Sequence, residues 1–415
     1  MIFYPLYIDP GTGSALFSIL IGAAATLYFV FRAVVIKLKV VLSGDRAAAS
    51  SVSYPYAVYN EGKQYWNVFK PVLDEFESRE IQVLYLTSAS NDPVFEAGYK
   101  HIKCEFIGEG NRAFARLNML SADILLMTTP GLDVYQLKKS KMVKHYAHIL
   151  HMPNDATTYR LFGIDYFDSI LLTGDYQAKD IKTLETMRGL PQKRLVTVGC
   201  TYLDVANEKI KSIAKEDERP FTVLVSPSWG PSALLSRYGA KLLDPLVKTG
   251  WCIIVRPHPQ SKKSENSMLE KLTERYKDAA NLEWDFESEN IYSLSKSDIM
   301  ISDFSGIIYD YMFLFDKPVM YVLQGFDMRP YDADDLGENA MEELWQFKTL
   351  KETGVELKEE HFDSIAETIQ KITGSNTLEA TRLSAARLEA KKTAWAYQGE
   401  AGKRVADFMM EIVNG

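Results

Sequence analysis

The sequence predicts an α/β protein with two Rossmann-like domains facing a cleft, preceded by a transmembrane helix. Three observations carry this reading. From about Ser51 onward, short apolar and β-branched runs alternate with longer amphipathic ones, the pattern of parallel sheets covered by helices on both faces. A polar, charged stretch ending in proline, Ala206–Pro220 (ANEKIKSIAKEDERP), divides that pattern into two sets of similar size, as a domain junction does. Ala15 to Phe31 (ALFSILIGAAATLYFVF) are 17 consecutive uncharged, mostly apolar residues; as a helix they cover about 25 Å, the short end of a bilayer span.

Composition agrees with a globular protein. Of 415 residues, 47% are hydrophobic and 25% charged, which excludes a wholly disordered, collagen-like or disulfide-stapled chain. The length suits two domains, each with its own core. Lys+Arg 47 against Asp+Glu 55 gives a net charge of -8, and this argues against a general nucleic-acid binder, which needs a clustered basic surface. Cys104, Cys200 and Cys252 stand far apart without a CxxC pair and read as reduced, buried thiols of a cytosolic compartment.

Taken in order, the apolar stretch comes first. No basic residue precedes Arg32 and no small-x-small cleavage site follows the run, so it reads as a retained membrane helix rather than a signal peptide. It is apolar all round, unlike a core helix with one wet face. Arg32, Lys37 and Lys39 follow it while only Asp9 is charged before it. The positive-inside rule then gives a single-pass protein of the cell membrane with its bulk in the cytoplasm. The DPGTG stretch, Asp9 to Gly13, is a turn into that helix.

The first set of strands is expected at Ile81–Thr87, Asp123–Thr128, His148–Met152, Ser169–Leu172 and Leu195–Val198, with helices at Tyr65–Arg79 and Gln177–Arg188 among them. The second set is expected at Phe221–Val225, Cys252–Val255, Asp298–Ile301 and Val319–Val322, with helices at Leu235–Thr249, Met268–Ala279 and Gly306–Phe315. A last helix, about Thr377–Val413, has no strand after it and is expected to pack back across the domains. The boundaries that follow are 1–45 for the anchor, 46–212 for the first domain and 213–415 for the second. Ligands of such folds sit at the carboxyl ends of the strands.

Chemistry-bearing residues gather at those ends. In Lys296–Val322 (KSDIMISDFSGIIYDYMFLFDKPVMYV) a strand ends at Ser302-Asp303 and a helix begins around Ser305-Gly306. Asp303 or Ser305 suits a plain N-cap; free amides beside Gly306 equally suit a phosphate group at a helix start. Arg256-Pro257-His258-Pro259 follows the strand CIIV, and its two prolines present Arg256 and His258 with little freedom. An arginine fork matches phosphate oxygens and a histidine supplies a proton or hydrogen bond; the plainer reading pairs Arg256 with a carboxylate. His151, in AHILHMPNDA, again lies at a strand end before a proline and is a candidate general base.

His145, His148 and His151 are three of the six histidines, but residues three apart on a strand point to opposite faces. No cysteine or carboxylate pair completes a zinc set, so no metal site is expected there. Asp204, in Gly199-Cys200-Thr201-Tyr202-Leu203-Asp204, caps a helix or lines the cleft; Ser226 and Ser228, in Ser226-Pro227-Ser228-Trp229-Gly230, offer another cleft wall. Asp332, Asp334 and Asp335 read as a solvated loop before a magnesium site, and the Asp332-Ala333-Asp334 pair does not follow a strand. Walker A, GxGxxG and GxSxG patterns are absent.

These motifs, over about Tyr146–Val322, resemble those of the CDP-glycerol glycerophosphotransferases, which include teichoic-acid primases and polymerases. The family's RxHP turn is matched by Arg256–Pro259, its SDYSS by SDFSG at Ser302–Gly306, and its aromatic FD-x-x-x-x-x-KP stretch by Tyr309-Asp310 and Lys317-Pro318. Its WHGTP stands here as LHMPN, keeping His151 without the glycine and threonine, and its GxPRxD as GCTYLD, keeping Gly199 and Asp204 without the arginine. The resemblance implies a fold of the glycosyltransferase-B kind, with acceptor bound on the first domain and CDP-linked donor on the second. It implies transfer of a polyol phosphate, glycerol phosphate foremost, to a hydroxyl of a lipid-linked cell-envelope acceptor with release of CMP. His151 would take the hydroxyl proton; Arg256, His258 and the amides at Ser305–Gly306 would hold the diphosphate; Asp303 would orient His258 or the donor. Other readings compatible with the residues are a nucleotide-sugar glycosyltransferase of surface polysaccharide and a non-catalytic relative. The polyol, the acceptor, a need for magnesium and a homo-oligomeric state stay open at this point.

Overall fold

Two parallel sheets carry the fold in the computed structural model, which describes residues 26–28, 31, 53–159, 161–213, 219–287, 289–328, 340–374 and 378–415. The chain forms two units, Met1–Ser53 and Tyr54–Gly415. In the first unit, Thr26, Leu27, Tyr28 and Phe31 are helical and exposed. The rest of the span expected at Ala15 to Phe31 lies outside the described residues, as do Asp332, Asp334 and Asp335. Among the described residues no helix is long and apolar enough to cross a membrane.

The second unit opens with β1 (Tyr54–Asn60), β2 (Val83–Thr87), β3 (Ile102–Phe106), β4 (Ala122–Met127), β5 (Val143–Ile149), β6 (Ser169–Leu172) and β7 (Arg194–Thr197), joined in the order β3-β2-β1-β4-β5-β6-β7. A second sheet joins β8 (Thr222–Val225), β9 (Cys252–Val255), β10 (Leu282–Trp284), β11 (Ile299–Ser302), β12 (Val319–Tyr321) and β13 (Val355–Glu356) in the order β10-β9-β8-β11-β12-β13. Every pairing is parallel. The reason is visible in the strands: VLYLT, TVLV and IMIS are buried at every position, which only a sheet covered on both faces permits. The order reverses between β1 and β4 and again between β8 and β11, opening a crevice at the carboxyl ends at each point.

Several expected elements shift. The strand expected at His148–Met152 runs over Val143–Ile149, so His151 lies beyond its end on a loop. β1, β3, β10 and β13 were not expected: β3 (IKCEF) and the two- and three-residue β13 and β10 lie at or near sheet edges, where burial leaves little apolar signal. The helix expected at Leu235–Thr249 is broken into Leu234–Arg237 and Ala240–Lys248 by Gly239, whose φ is 38°.

The last helix is likewise two, Leu378–Ala394 and Ala401–Asn414. They are separated by a turn with positive φ at Tyr397 and Gly399. As expected, this segment packs back across the sheets. Val405, Ala406, Phe408 and Met409 join the core of the first sheet, beside Val68, Phe69 and Val72 of the helix Trp66–Ser78; burying each large apolar side chain contributes about 1.5–3 kcal/mol. The crossing fits closely. A Cβ on Gly199 would lie 2.3 Å from the Ala396 carbonyl oxygen, and one on Gly402 would lie 2.5 Å from that of Pro71.

Asp204 holds the crossing. Its carboxylate accepts the indole N–H of the fully buried Trp395 at 2.8 Å and the amides of Gly399 and Ala401 at 2.8 and 3.1 Å. It therefore caps the last helix of the chain, not the helix Thr201–Lys211 on which it stands. Asp204→Ala leaves two buried donors and the Gly399 amide unpaired and is expected to lower the unfolding free energy by about 2–4 kcal/mol, read from denaturant titration; a loss below about 0.5 kcal/mol would rule out this role.

Candidate functional site

The crevice of the second sheet is stitched from its own strand ends. The Ser302 hydroxyl donates to the Ser226 carbonyl at 2.6 Å, and the Ser226 hydroxyl to the Arg256 carbonyl at 3.4 Å, so β8, β9 and β11 end in register. Asp303, fully buried, accepts four backbone amides: Ser228, Phe304 and Ser305 on Oδ1 at 2.9, 2.7 and 3.1 Å, and Leu234 on Oδ2 at 2.8 Å. Burial pushes its carboxyl up to about 6, while those amides pull it down. Asp303 therefore does not touch His258. It fixes the Ser226–Gly230 loop, whose Trp229 ring faces the His258 ring at 6.4 Å between centroids.

Arg256 is placed differently from the expected phosphate fork. It is buried, with Nη1 on the Asp285 carboxylate and Nη2 on the Glu287 carbonyl at 2.8 Å. Burial alone would raise the Asp285 carboxyl; hydrogen bonds from Ser293, the Glu287 amide and Arg256 hold it below its ordinary value. Arg256 thus ties the proline turn to the end of β10. His258 stands half-buried on that turn. Its Nδ1 accepts the Gln260 amide at 3.1 Å, so the ring proton lies on Nε2 and makes that atom a donor. Burial lowers its pKa against the opposing charge of Glu265.

His151 Nδ1 stands beside two hydroxyls, Thr128 at 2.9 Å and Tyr159 at 3.3 Å, and the Thr128 hydroxyl also reaches the Ile149 carbonyl at 2.9 Å. With its proton on Nδ1, given to the Thr128 oxygen, the ring would leave Nε2 as a lone pair. Tyr65 and Tyr159 stand edge-on to the ring at 5.1 and 6.2 Å, and burial pushes its pKa down to about 4. Thr128, Tyr65 and Tyr159 carried no motif and were not anticipated. His145 and His148 fall on opposite faces of β5, one against Phe408 and the other between Tyr159 and Phe167. Among the described residues no group of three His, Cys, Asp or Glu side chains is arranged to hold a metal.

The two sheets meet where the sequence departs from the family pattern. Gly306, in place of the second serine of SDYSS, opens the helix Ile307–Phe315. A Cβ there would lie 3.4 Å from both amide atoms of the Asn154 side chain and 3.7 Å from Met152 Sδ, residues of the loop that replaces WHGTP. Among the described residues no acceptor is bonded to the amides of Gly306 and Ile307. The remaining motif residues brace the same region. The Tyr309 hydroxyl donates to the Gln346 carbonyl at 2.6 Å, and the Tyr202 hydroxyl to Asp310 at 3.0 Å, whose carboxyl burial pushes up to about 7. Lys317 caps the helix Ile291–Lys296 through the carbonyls of Leu294, Ser295 and Ser297. A groove of about 1300 Å³ runs beside the site rather than through it; Gln64 and Trp66, which flank Tyr65, form part of one wall, and Asn290 and Ile291 form part of the other.

Residues 232–375, about a third of the chain, match the profile of a family described as CDP-Glycerol:Poly(glycerophosphate) glycerophosphotransferase. Over those residues the chain is similar to that family. Both the Arg256–Pro259 turn and the Ser302–Gly306 motif fall inside the match, and the resemblance drawn from them is borne out; His151 lies outside it. No curated relative matches the chain. Among solved structures it is similar to the wall teichoic acid polymerase TagF, at 14% identity and a TM-score of 0.58 over 92% of this chain and 98% of that one. It is also similar to the UDP-GlcNAc 2-epimerase of Methanocaldococcus jannaschii, at 10% and 0.57 over 86% and 99%. A UDP-N-acetylglucosamine 2-epimerase described as putative, from Listeria monocytogenes, gives 12% and 0.55 over 85% and 95%. These likenesses bear out an α/β fold of two parallel sheets, of the glycosyltransferase-B-like kind.

Nitrogen-15 NMR of the ring-labelled protein at pH 7 is expected to show two neutral imidazoles of opposite tautomer, Nδ1–H for His151 and Nε2–H for His258. The His151 signals are expected to hold until the pH falls towards about 4. Two rings of the same tautomer would break the assignment.

Proposed function

We propose that the protein transfers a polyol phosphate, glycerol phosphate foremost, from a CDP-linked donor to a hydroxyl of a lipid-linked acceptor of cell-envelope polymer synthesis. The observation that carries this reading is the loop of His151, whose Met152 and Asn154 rest against Gly306 at the start of the helix Ile307–Phe315, with His258 on the proline turn of the second sheet; in this reading His151 takes the Nδ1–H tautomer and His258 the Nε2–H tautomer. His151 Nε2 takes the proton as the acceptor oxygen attacks the phosphorus bearing the polyol. The anhydride bond to CMP breaks, and CMP leaves with the bonding electrons. His258 Nε2–H and the amides of Gly306 and Ile307 stabilise the charge that develops on the diphosphate. Ser305, beside them, closes the cradle, while Arg256, Asp303, Ser302, Ser226 and Ser228 hold it in shape. A bound diphosphate, being anionic, raises the pKa of His151 towards neutrality and strengthens it as a base. A TagF structure with CDPG and the family match support a CDP-linked donor.

The apolar stretch Ala15 to Phe31 supports attachment to the cell membrane with the catalytic part on the cytoplasmic side, in the plane of a lipid-linked acceptor. The test is CMP release by the full-length protein in detergent, given CDP-glycerol or CDP-ribitol and a lipid-linked acceptor. His151→Ala is expected to lower kcat by about 10²–10⁴, and His258→Ala by about 10²–10³. CMP release untouched by both substitutions would refute the assignment, and release of UDP from a UDP-sugar in its place would redirect it to sugar transfer.

A further inference from the structure

The groove beside the site follows one helix from end to end. Asn67, Lys70, Asp74 and Ser78 line it; spaced three and four apart, they form a single face of the helix Trp66–Ser78, so the groove is about 20 Å long. Its volume of about 1300 Å³ exceeds what one small molecule needs. The opposite wall comes from the helix Thr201–Lys211 and, on the second sheet's side, from Asn290. One end opens at the site. There Gln64 and Trp66 bracket Tyr65, whose ring stands 5.1 Å from that of His151, and Tyr202 bonds to Asp310 on the helix that Gly306 opens. The other end, at Ser78, lies at the amino edge of the first sheet, because that helix leads directly into the start of β2. Tyr54 begins β1 on the same edge, where the chain arrives from the apolar stretch Ala15 to Phe31.

The wall is close to neutral. Four lysines, Lys63, Lys70, Lys209 and Lys403, stand against five carboxylates, and the acids are already engaged. Lys70 holds Asp74 at 2.6 Å, Lys209 holds Glu289 at 2.7 Å, and Arg79 and Lys211, outside the groove, hold Glu75 and Glu208; Asp204 accepts its three N–H groups. Of the lysines, Lys63 and Lys403 remain, both exposed to solvent, where screening leaves two such charges little pull on a polyanion. The other groups on offer are uncharged. Among the described residues the side-chain amides of Asn67 and Asn207 have no hydrogen-bond partner, and each offers two donors and an acceptor. The half-buried Trp66 adds an indole ring to the same wall. Unpaired amides beside an aromatic face match a ligand whose hydroxyls alternate with C–H faces, as those of a sugar ring do.

We propose that this groove is the bed of the acceptor's glycan: a neutral, hydroxyl-rich chain lies along the helix Trp66–Ser78, with its terminal hydroxyl at His151 and its lipid-bearing end at the amino edge of the first sheet. As an acceptor site it rests on the function proposed above. A glycan that fills the groove lets the hydroxyl reach His151 while the lipid stays at the edge where the chain arrives. Contacts along the helix, remote from the reacting atoms, then serve to hold that hydroxyl in place.

The test uses the full-length protein in detergent with a polyprenyl-diphosphate-linked disaccharide of neutral sugars, and the bare polyprenyl diphosphate as control. The disaccharide is expected to slow amide hydrogen exchange of segments 63–70 and 203–209 at least fivefold, and the control to leave it unchanged. Asn207→Trp, which fills the groove from a half-buried surface position, and Trp66→Ala are expected to raise the acceptor KM at least tenfold with the CDP-donor KM within twofold. CMP release without slowed exchange, or an acceptor KM unchanged in Asn207→Trp, overturns the groove assignment and leaves the proposed function standing. Slowed exchange without CMP release from any CDP donor leaves the groove standing and overturns the proposed function. Neither slowed exchange nor CMP release overturns both. An acceptor extended by glycerol phosphate units that slows exchange further, by an effect lost in about 0.5 M NaCl, assigns the groove to an anionic chain and overturns the glycan.

Discussion

One buried carboxylate organises the crevice of the second sheet. Asp303 ends β11 at the point where the order of the second sheet reverses, and its four amide bonds reach the loop after β8, the start of Leu234–Arg237 and the approach to the helix Ile307–Phe315. Hydrogen bonds to a charged acceptor contribute about 1.5–3 kcal/mol each, and here they offset the desolvation of an ion that would otherwise be costly to bury. The crevice is consequently built before any ligand arrives. Trp229, His258 and the amides of Gly306 and Ile307 sit on segments that Asp303 and its neighbours Ser302 and Ser226 already hold, the preorganisation that the transfer proposed above requires.

Carboxylates serve the same purpose elsewhere in the chain, each joining segments far apart in sequence. Asp204 ties the Thr201–Lys211 helix to the last turn of the chain, and Asp155 ties the first sheet's loop to the second sheet's helix. Arg256 with Asp285 makes a similar brace. The acidic excess of the sequence is thus partly structural, with buried carboxylates taking backbone amides in place of basic partners.

Much of this was legible in the residues, for physical reasons. Runs such as VLYLT and CIIV have one reading in a protein with amphipathic helices between them, because both faces of a central parallel strand are apolar. The histidines were visible because each stands beside a proline at or just past a strand end. The partners of those residues were not. Thr128, which orients His151, lies 23 positions away, and Trp345 lies 190 from Asp155; side-chain spacing on one element carries no information about such pairs. For the same reason Arg256 read as a phosphate ligand. Only the fold brings Asp285 to it, 29 positions on. Asp303 was recognised as a cap, but a four-amide staple looks like any other N-cap in a sequence.

The return of the last helix to the first sheet bears on how the chain is made. Val405, Ala406, Phe408 and Met409 complete a core that otherwise consists of residues from the first half. On the ribosome, the first sheet is complete at Thr197, about two hundred residues before the helix Ala401–Asn414 that helps to cover one face of it. Until that helix emerges, the part of the face it covers beside the helix Trp66–Ser78 is exposed apolar surface, the kind that recruits chaperones or associates with other nascent chains. A chain cut near position 395 would thus leave open a core built from residues of the first half of the sequence.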